Sequence, residues 1–148
     1  MLRDSAERAP GRPAVAVGDR VLSYAELDRL SNQVARTLLA QGVAPGDRVG
    51  ILIPKSAAAV VALYGVLKTG ACYVPLDPKS PTARLSAIVH DSGIAVLLAD
   101  QATTAQAVAL AGPSPRLRTV IVAGPHWGRA AAADEPAAGG PDVIGWET

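Results

Sequence analysis

Aromatic side chains are scarce in this sequence: they make up 3% of its 148 residues, and phenylalanine is absent. Hydrophobic residues nevertheless make up 49%, so the core has to be built from alanine, valine, leucine and isoleucine. A core of small aliphatic side chains suits close packing of helices on a sheet better than it suits a large aromatic-lined pocket. The composition therefore indicates a globular domain rather than a disordered chain.

The sequence also lacks clusters of like charge and long apolar runs. The 14 basic and 13 acidic residues give a net charge of +1, and they form no block of like charge. Nucleic-acid-binding proteins normally carry a basic patch or stripe, so we expect no nucleic-acid partner. No apolar run approaches the roughly 18 residues that cross a membrane, so no membrane span is expected. Residues 1–8 are too charged for a secretory signal, and together these features predict a cytoplasmic protein.

Cysteine and histidine are too few for a metal site of recognisable spacing. The single cysteine, Cys72, excludes a disulfide within these residues, and it shares no metal-ligand spacing with His90 or His126. Cys72 is predicted to be buried in a strand as inert packing. His90 falls near a predicted helix end, where a cation is favourable, so a surface role is expected. His126 and Trp127 fall in a predicted linker, and a stacking or partner role is the alternative there.

Hydrophobic periodicity predicts alternating helices and strands up to residue 122. The predicted helices cover about residues 2–9, 24–41, 57–69, 81–92 and 103–111. The predicted strands cover residues 14–17, 20–22, 48–53, 71–74, 94–98 and 118–122. Short connections and strands that are apolar on both faces indicate an α/β fold with a largely parallel sheet flanked by helices. Residues 123–148 are rich in alanine, glycine and proline, which predicts a linker-like tail, disordered or extended.

The helix boundaries carry the clearest local signals. Ser23 and Glu26 have the spacing of a capping box at the start of the helix over 24–41, and Gly42 is suited to its C-terminal end. Ser56 can cap the helix over 57–69, which is apolar nearly all round. A helix of that kind is typically buried rather than half exposed.

Local physics points to a binding site at one place, Lys55 and Ser56. They lie between the carboxyl end of a predicted buried strand and a helix start, where open α/β sheets often bind ligands and where anions are favoured. The simpler interpretation is that Ser56 caps the helix and Lys55 is solvated. Asp77 has two interpretations as well: a functional carboxylate at a strand end, or a turn residue before Pro78.

Recognised catalytic motifs are missing from the sequence. It contains no Gly-x-Gly-x-x-Gly, no Walker loop and no serine nucleophile elbow, and its carboxylates are scattered. We therefore assign no catalytic, cofactor-binding or metal residue from the sequence.

Two segments resemble signatures of the adenylate-forming superfamily, which includes acyl-CoA ligases and the adenylation domains of nonribosomal peptide synthetases. Residues 22–27 read LSYAEL and are similar to its first signature; residues 67–78 read LKTGACYVPLDP and look like its second. The second match is specific, with Thr69 and Cys72 as mild departures. The resemblance extends over about residues 1–122, which predicts a partial adenylation domain followed by the tail.

The resemblance implies an enzyme that makes an acyl adenylate from a carboxylic acid and ATP, assisted by Mg²⁺. The acyl group then passes to coenzyme A or to the phosphopantetheine arm of a carrier protein. The ATP-binding and catalytic residues of the family belong to later signatures, which this sequence does not contain. The chain alone is therefore expected to be inactive and to bind no cofactor. The alternatives are a docking half-domain, which packs on a separately encoded remainder of the adenylation domain or on a carrier protein, and a small-ligand binder at Lys55.

Overall fold

The computed structural model describes residues 1–123 and 140–145 and alternates helices with strands. The helices are α1 (Leu2–Arg8), α2 (Tyr24–Ala40), α3 (Ala57–Lys68), α4 (Thr82–Ser92) and α5 (Thr104–Ala111). The strands are β1 (Pro13–Val17), β2 (Arg20–Ser23), β3 (Arg48–Leu52), β4 (Cys72–Pro75), β5 (Val96–Asp100), β6 (Thr119–Ala123) and β7 (Asp142–Gly145). None of these helices combines the length and the apolar character that crossing a bilayer requires.

Five strands form one parallel sheet in the order β4-β3-β5-β6-β7, while β1 and β2 form a separate antiparallel hairpin. Helices α2 and α3 contribute to the hydrophobic core on one face of the sheet, and α4 and α5 to the core on the other. The predicted α/β fold with a parallel sheet flanked by helices is therefore confirmed.

The two cores are aliphatic, as the composition indicates. On the α2–α3 face, Leu38, Val61 and Leu98 are fully buried. On the α4–α5 face, Leu85 and Leu97 are fully buried among leucine, isoleucine, valine and alanine side chains. Each side chain of this size contributes on the order of 2 kcal/mol when it is fully buried, so these two layers supply most of the favourable free energy of folding.

A capping box starts α2, as predicted. The backbone N–H of Ser23 donates to Glu26 Oε2 at 2.8 Å, and the backbone N–H of Glu26 donates to Ser23 Oγ at 3.2 Å. The N–H groups of Tyr24 and Ala25 donate to the carbonyls of Arg12 and Pro10 at 3.0 and 3.1 Å. The first turn of α2 is therefore fixed both by its own cap and by the segment before the hairpin.

Replacing Ser23 with alanine should lower the free energy of unfolding by about 1 kcal/mol, because the amide of Glu26 loses its acceptor. Ser23→Asp keeps an acceptor and should stay close to the parent protein. Urea unfolding followed by circular dichroism measures both values. An alanine variant as stable as the parent would show that the cap contributes little here.

The environment of Cys72 differs from the prediction, because the residue is exposed rather than buried. The cause is the position of β4, which pairs with β3 alone among the described strands and so lies at a sheet edge. Helix α4 also begins one residue later than predicted: Pro81 is the N-cap residue, not the first helical one.

A strand occurs where the sequence predicts a linker-like tail. Residues 142–145 form β7, which runs parallel to β6, with Val143 packed on one core and Ile144 on the other. A four-residue run carries no clear periodicity of its own, and β7 depends on pairing with β6. Ala123 ends β6, and residues 124–139, with His126 and Trp127, and residues 146–148 lie outside the described residues.

Candidate functional site

The strand order places a topological switch point between β3 and β5. From β3 the chain goes to β4 on one side through α3, and it returns to β5 on the other side of β3 through α4. Helices α3 and α5, which follow β3 and β5, pack on opposite faces of the sheet. Ligands of open α/β sheets bind outside the carboxyl ends of strands at such a point. Lys55 and Ser56 follow β3 there, as predicted.

A hydroxyl group of the protein itself bridges this switch point. Thr103, which is 3% exposed, donates from Oγ1 to the carbonyl of Leu52 at 2.6 Å. The same oxygen accepts from the N–H of Asp100 at 3.1 Å, and the N–H of Thr103 donates to Asp100 Oδ1 at 2.9 Å. Sequence reasoning missed Thr103 and Asp100, although an Asp-x-x-Thr sequence at a strand-to-helix junction is a signal for such reciprocal bonding. These groups join β3, β5 and α5.

Thr103→Val should lower the free energy of unfolding by about 1.5 kcal/mol, because the Leu52 carbonyl and the Asp100 amide both lose a buried partner. Valine has nearly the same shape as threonine, so packing changes little. Thr103→Ser retains the hydroxyl and should recover most of the loss. Chemical denaturation of the three proteins tests this, and equal losses for valine and serine would assign the effect to packing instead.

Lys55 and Ser56 differ in what they contact. Ser56 Oγ accepts from the N–H of Ala59 at 3.2 Å, which confirms its predicted role as the cap of α3. Lys55 is exposed and makes no hydrogen bond or ion pair with the residues that the structure describes. A ligand-binding role for Lys55 stays a prediction.

Asp77 forms a turn. Its Oδ1 accepts from the N–H of Lys79 at 2.9 Å, and its carbonyl accepts from the N–H of Ser80 at the same distance. The side chain of Gln106 donates to the carbonyl of Pro78 at 2.9 Å and ties the turn to α5. The turn interpretation is confirmed. His90 is exposed in the last turn of α4, which agrees with the predicted surface role.

The segment over residues 67–78 also joins helices and strands. Lys68 Nζ donates to Asp28 Oδ1 at 2.7 Å, to Asn32 Oδ1 at 2.8 Å and to the carbonyl of Asp28 at 3.1 Å. These bonds link the end of α3 to α2. Gly70 has a φ of +79°, and its carbonyl accepts from the N–H of Gly46 at 3.0 Å. A side chain at position 70 would be strained in this left-handed conformation.

Side chains that could ligate a metal ion do not cluster within residues 1–123 and 140–145. Within these ranges, no group of three or more His, Cys, Asp or Glu side chains could hold a metal ion. Asp100 at the end of β5 and Asp77 in the turn after β4 both accept hydrogen bonds from the protein backbone. The described residues alone therefore provide no preformed set of side-chain ligands for Mg²⁺.

Comparison with known proteins matches residues 2–142 to the family described as AMP-binding enzyme. The AMB antimetabolite synthetase AmbB of Pseudomonas aeruginosa is 44% identical over 108 residues, which are 73% of this chain and 9% of AmbB. Syringomycin synthase SyrB1 of Pseudomonas syringae pv. syringae is 44% identical over 99 residues, which are 67% of this chain and 16% of SyrB1. The chain thus spans a small part of the length of these relatives.

Solved structures share the fold. The apo structure of MbtA from Mycobacterium smegmatis has a TM-score of 0.74 at 31% identity and covers 97% of this chain and 30% of MbtA. The anthranilate CoA ligase AuaEII, solved with anthranoyl-AMP, has a TM-score of 0.76 at 26% identity. The match covers 82% of this chain and 23% of the AuaEII chain.

Proposed function

Because the chain belongs to the AMP-binding enzyme family, we propose that it forms the N-terminal scaffold of an ATP-dependent ligase that activates a carboxylic acid as its acyl adenylate. A scaffold role is supported by the contacts that residues 22–27 and 67–78, the two segments that resemble family signatures, make within the fold. Ser23 and Glu26 cap α2, Lys68 joins α3 to α2, and Asp77 forms a turn. Each of these side chains is engaged in a contact within the fold.

ATP, Mg²⁺ and the acyl acceptor are proposed for the complete enzyme. Acyl adenylation releases pyrophosphate, and Mg²⁺ would neutralise the phosphate charge in that reaction. We place the phosphate-binding groups in parts of the enzyme outside the described residues. The relatives AmbB, a synthetase, and SyrB1, a synthase, support a carrier protein's phosphopantetheine arm as the acceptor, while the CoA ligase AuaEII supports coenzyme A.

A docking half-domain is the second candidate. The observation in its favour is that two large apolar side chains, Leu67 and Tyr73, are 46% and 40% exposed. In this function the chain binds a separately encoded adenylating remainder, and the assembled pair carries out the reaction.

A chimera tests the ligase scaffold. The 108-residue matched segment in the adenylating domain of AmbB would be replaced by the matching segment of this chain, and ATP–pyrophosphate exchange would be measured. We expect exchange within about tenfold of the parent domain, a change of roughly 1.4 kcal/mol in the barrier. The control chimera carries Leu98→Asp, which places a charge in the core and should abolish folding and exchange together. A folded chimera without exchange would reject the proposal.

A further inference from the structure

The outward face of α3 is apolar, which is unusual for a surface helix. Its inward face contributes Val61, Ala62 and Val66 to the core, all fully buried. The opposite face carries Val60, Leu63, Tyr64 and Leu67, which follow one another at helical spacing; the first three are half-buried and Leu67 is 46% exposed. A helix that borders water normally carries polar residues on its outer face. This face therefore has the composition of a surface that is covered.

Strand β4 extends this apolar face. Tyr73 is 40% exposed and lies beside Val49 in the parallel register, so it shares the side of the sheet on which α2 and α3 pack. Helix α3 packs directly against β4. Val60, Leu63, Tyr64, Leu67 and Tyr73 together are called the apolar ridge.

The free edge of β4 favours one kind of partner. The N–H groups of Cys72 and Leu76 donate to the carbonyls of Asp47 and Ile51 on the β3 side. Because backbone groups alternate in direction along a strand, those of Tyr73 and Pro75 point toward the unpaired edge of β4, and proline has no N–H to donate. A partner strand would find a single amide donor within β4. The ridge is therefore suited to side-chain packing by an apolar surface more than to extension of the sheet.

Resting on the proposed function, we propose that the apolar ridge is the surface on which the remainder of the adenylating domain packs. Two observations identify this occupant. MbtA and AuaEII build the same fold from 30% and 23% of their chains, so most of their polypeptide lies outside the shared part. The ridge is also contiguous with the larger core, because Val60, Leu63 and Tyr64 pack on the cluster beneath α2 and α3. A partner that covers the ridge would continue that core.

A groove beside α1 and α2 is the competing surface. It has a volume of about 680 Å³ and is lined by Arg3, Asp28, Asn32, Ala35, Arg36, Leu39 and Lys68. Three of its charged side chains already form ion pairs: Arg3 bonds to Glu7 at 3.2 Å, and Lys68 bonds to Asp28 at 2.7 Å. Leu39 is 53% exposed among these polar groups. It supplies a matched control, a leucine of similar exposure on another face.

The test co-expresses the tagged 148-residue chain with the AmbB adenylating domain from which the matched segment has been removed. The wild-type chain should retain the AmbB remainder on the affinity resin. Leu67→Asp and Tyr73→Asp should each reduce the retained remainder by about tenfold or more, equivalent to 1.4 kcal/mol of binding. Leu39→Asp should retain as much as the wild type. Circular dichroism and melting temperatures of the free variants should be alike, because all three positions are exposed.

The covalent chimera provides a second measurement that does not depend on assembly of two chains. There, Leu67→Asp and Tyr73→Asp should lower the melting temperature by clearly more than Leu39→Asp does. Equal effects of all three in the chimera, or equal retention in the pull-down, would overturn the ridge assignment even if the chimera exchanges pyrophosphate. A folded chimera without exchange would instead reject the ligase scaffold. Ridge-dependent dimers of the chain alone in ultracentrifugation would assign the surface to a second copy and overturn the proposal.

Discussion

Leu97→Ala is expected to lower the free energy of unfolding by about 3 kcal/mol. Leu97 is fully buried in β5, at the centre of the sheet, and belongs to the core beneath α4 and α5. Removing three carbon atoms there loses their transfer free energy and leaves a cavity, because strands on both sides fix the backbone. Urea unfolding at equilibrium measures the loss.

The neighbouring Gly50 makes this prediction specific. Gly50 pairs with Leu97 in the register, and a Cβ placed at residue 50 would lie 2.5 Å from Leu97 Cδ1. In the Leu97→Ala background, Gly50→Ala should therefore fill part of the cavity and restore about 1 kcal/mol. In the parent protein the same change should be neutral or destabilising, because Leu97 has to move. Additive effects of the two substitutions would contradict the contact.

Gly65→Ala should lower the free energy of unfolding by about 2 kcal/mol, although alanine has the higher helix propensity. A Cβ at residue 65 would overlap Cγ1 of Val34 and lie 2.5 Å from its Cβ. Val34 is fully buried on α2, so α2 and α3 would have to separate. Chemical denaturation measures the loss.

Two controls separate this overlap from a general effect of alanine. Gly112→Ala, where the nearest atom to the added Cβ is the Ala109 carbonyl oxygen at 3.7 Å, should change stability by less than about 0.5 kcal/mol. Val34→Gly, which removes both Cγ1 and Cβ, should show a favourable coupling of about 1 kcal/mol or more when it is combined with Gly65→Ala. If this coupling is absent, the close approach of α2 and α3 is not the cause of the stability loss in Gly65→Ala.

Local patterns in the sequence predict most of the fold. The capping box at Ser23 and Glu26 and the cap at Ser56 occur as expected, because each depends on residues three positions apart. The apolar runs at β3 and β5 predict buried parallel strands, since a strand covered on both faces needs no polar alternation.

Contacts between distant residues could not be predicted. The bond from Thr103 to Leu52 joins residues 51 positions apart, and the bond from Lys68 to Asp28 spans 40. No local pattern encodes either pair. Hydropathy alone predicts a buried Cys72 and a buried helix over 57–69, yet Cys72 and Leu67 are both exposed. Exposure depends on which elements cover β4 and α3. Leu67 belongs to the apolar ridge that we assign to the rest of the adenylating domain, and Cys72 precedes the ridge residue Tyr73 in β4.

The switch point between β3 and β5 has the position of a ligand site, but its polar groups bond to one another. Thr103, Asp100 and the Leu52 carbonyl form a closed set, and Ser56 caps α3. Lys55 is the exposed cation beside them. We therefore attribute structural roles to this edge and expect Lys55→Ala to leave the exchange activity of the chimera unchanged.

The most direct test is whether the purified 148-residue chain alone makes acyl adenylate. The chain and the AmbB chimera would be incubated in parallel with ATP, Mg²⁺ and a panel of amino and aryl acids, and acyl-AMP would be detected by mass spectrometry. A scaffold should give no acyl-AMP above the enzyme-free blank on any acid that the chimera activates. Acyl-AMP produced by the chain itself, and lost on unfolding, would show that its own residues bind and activate the substrates.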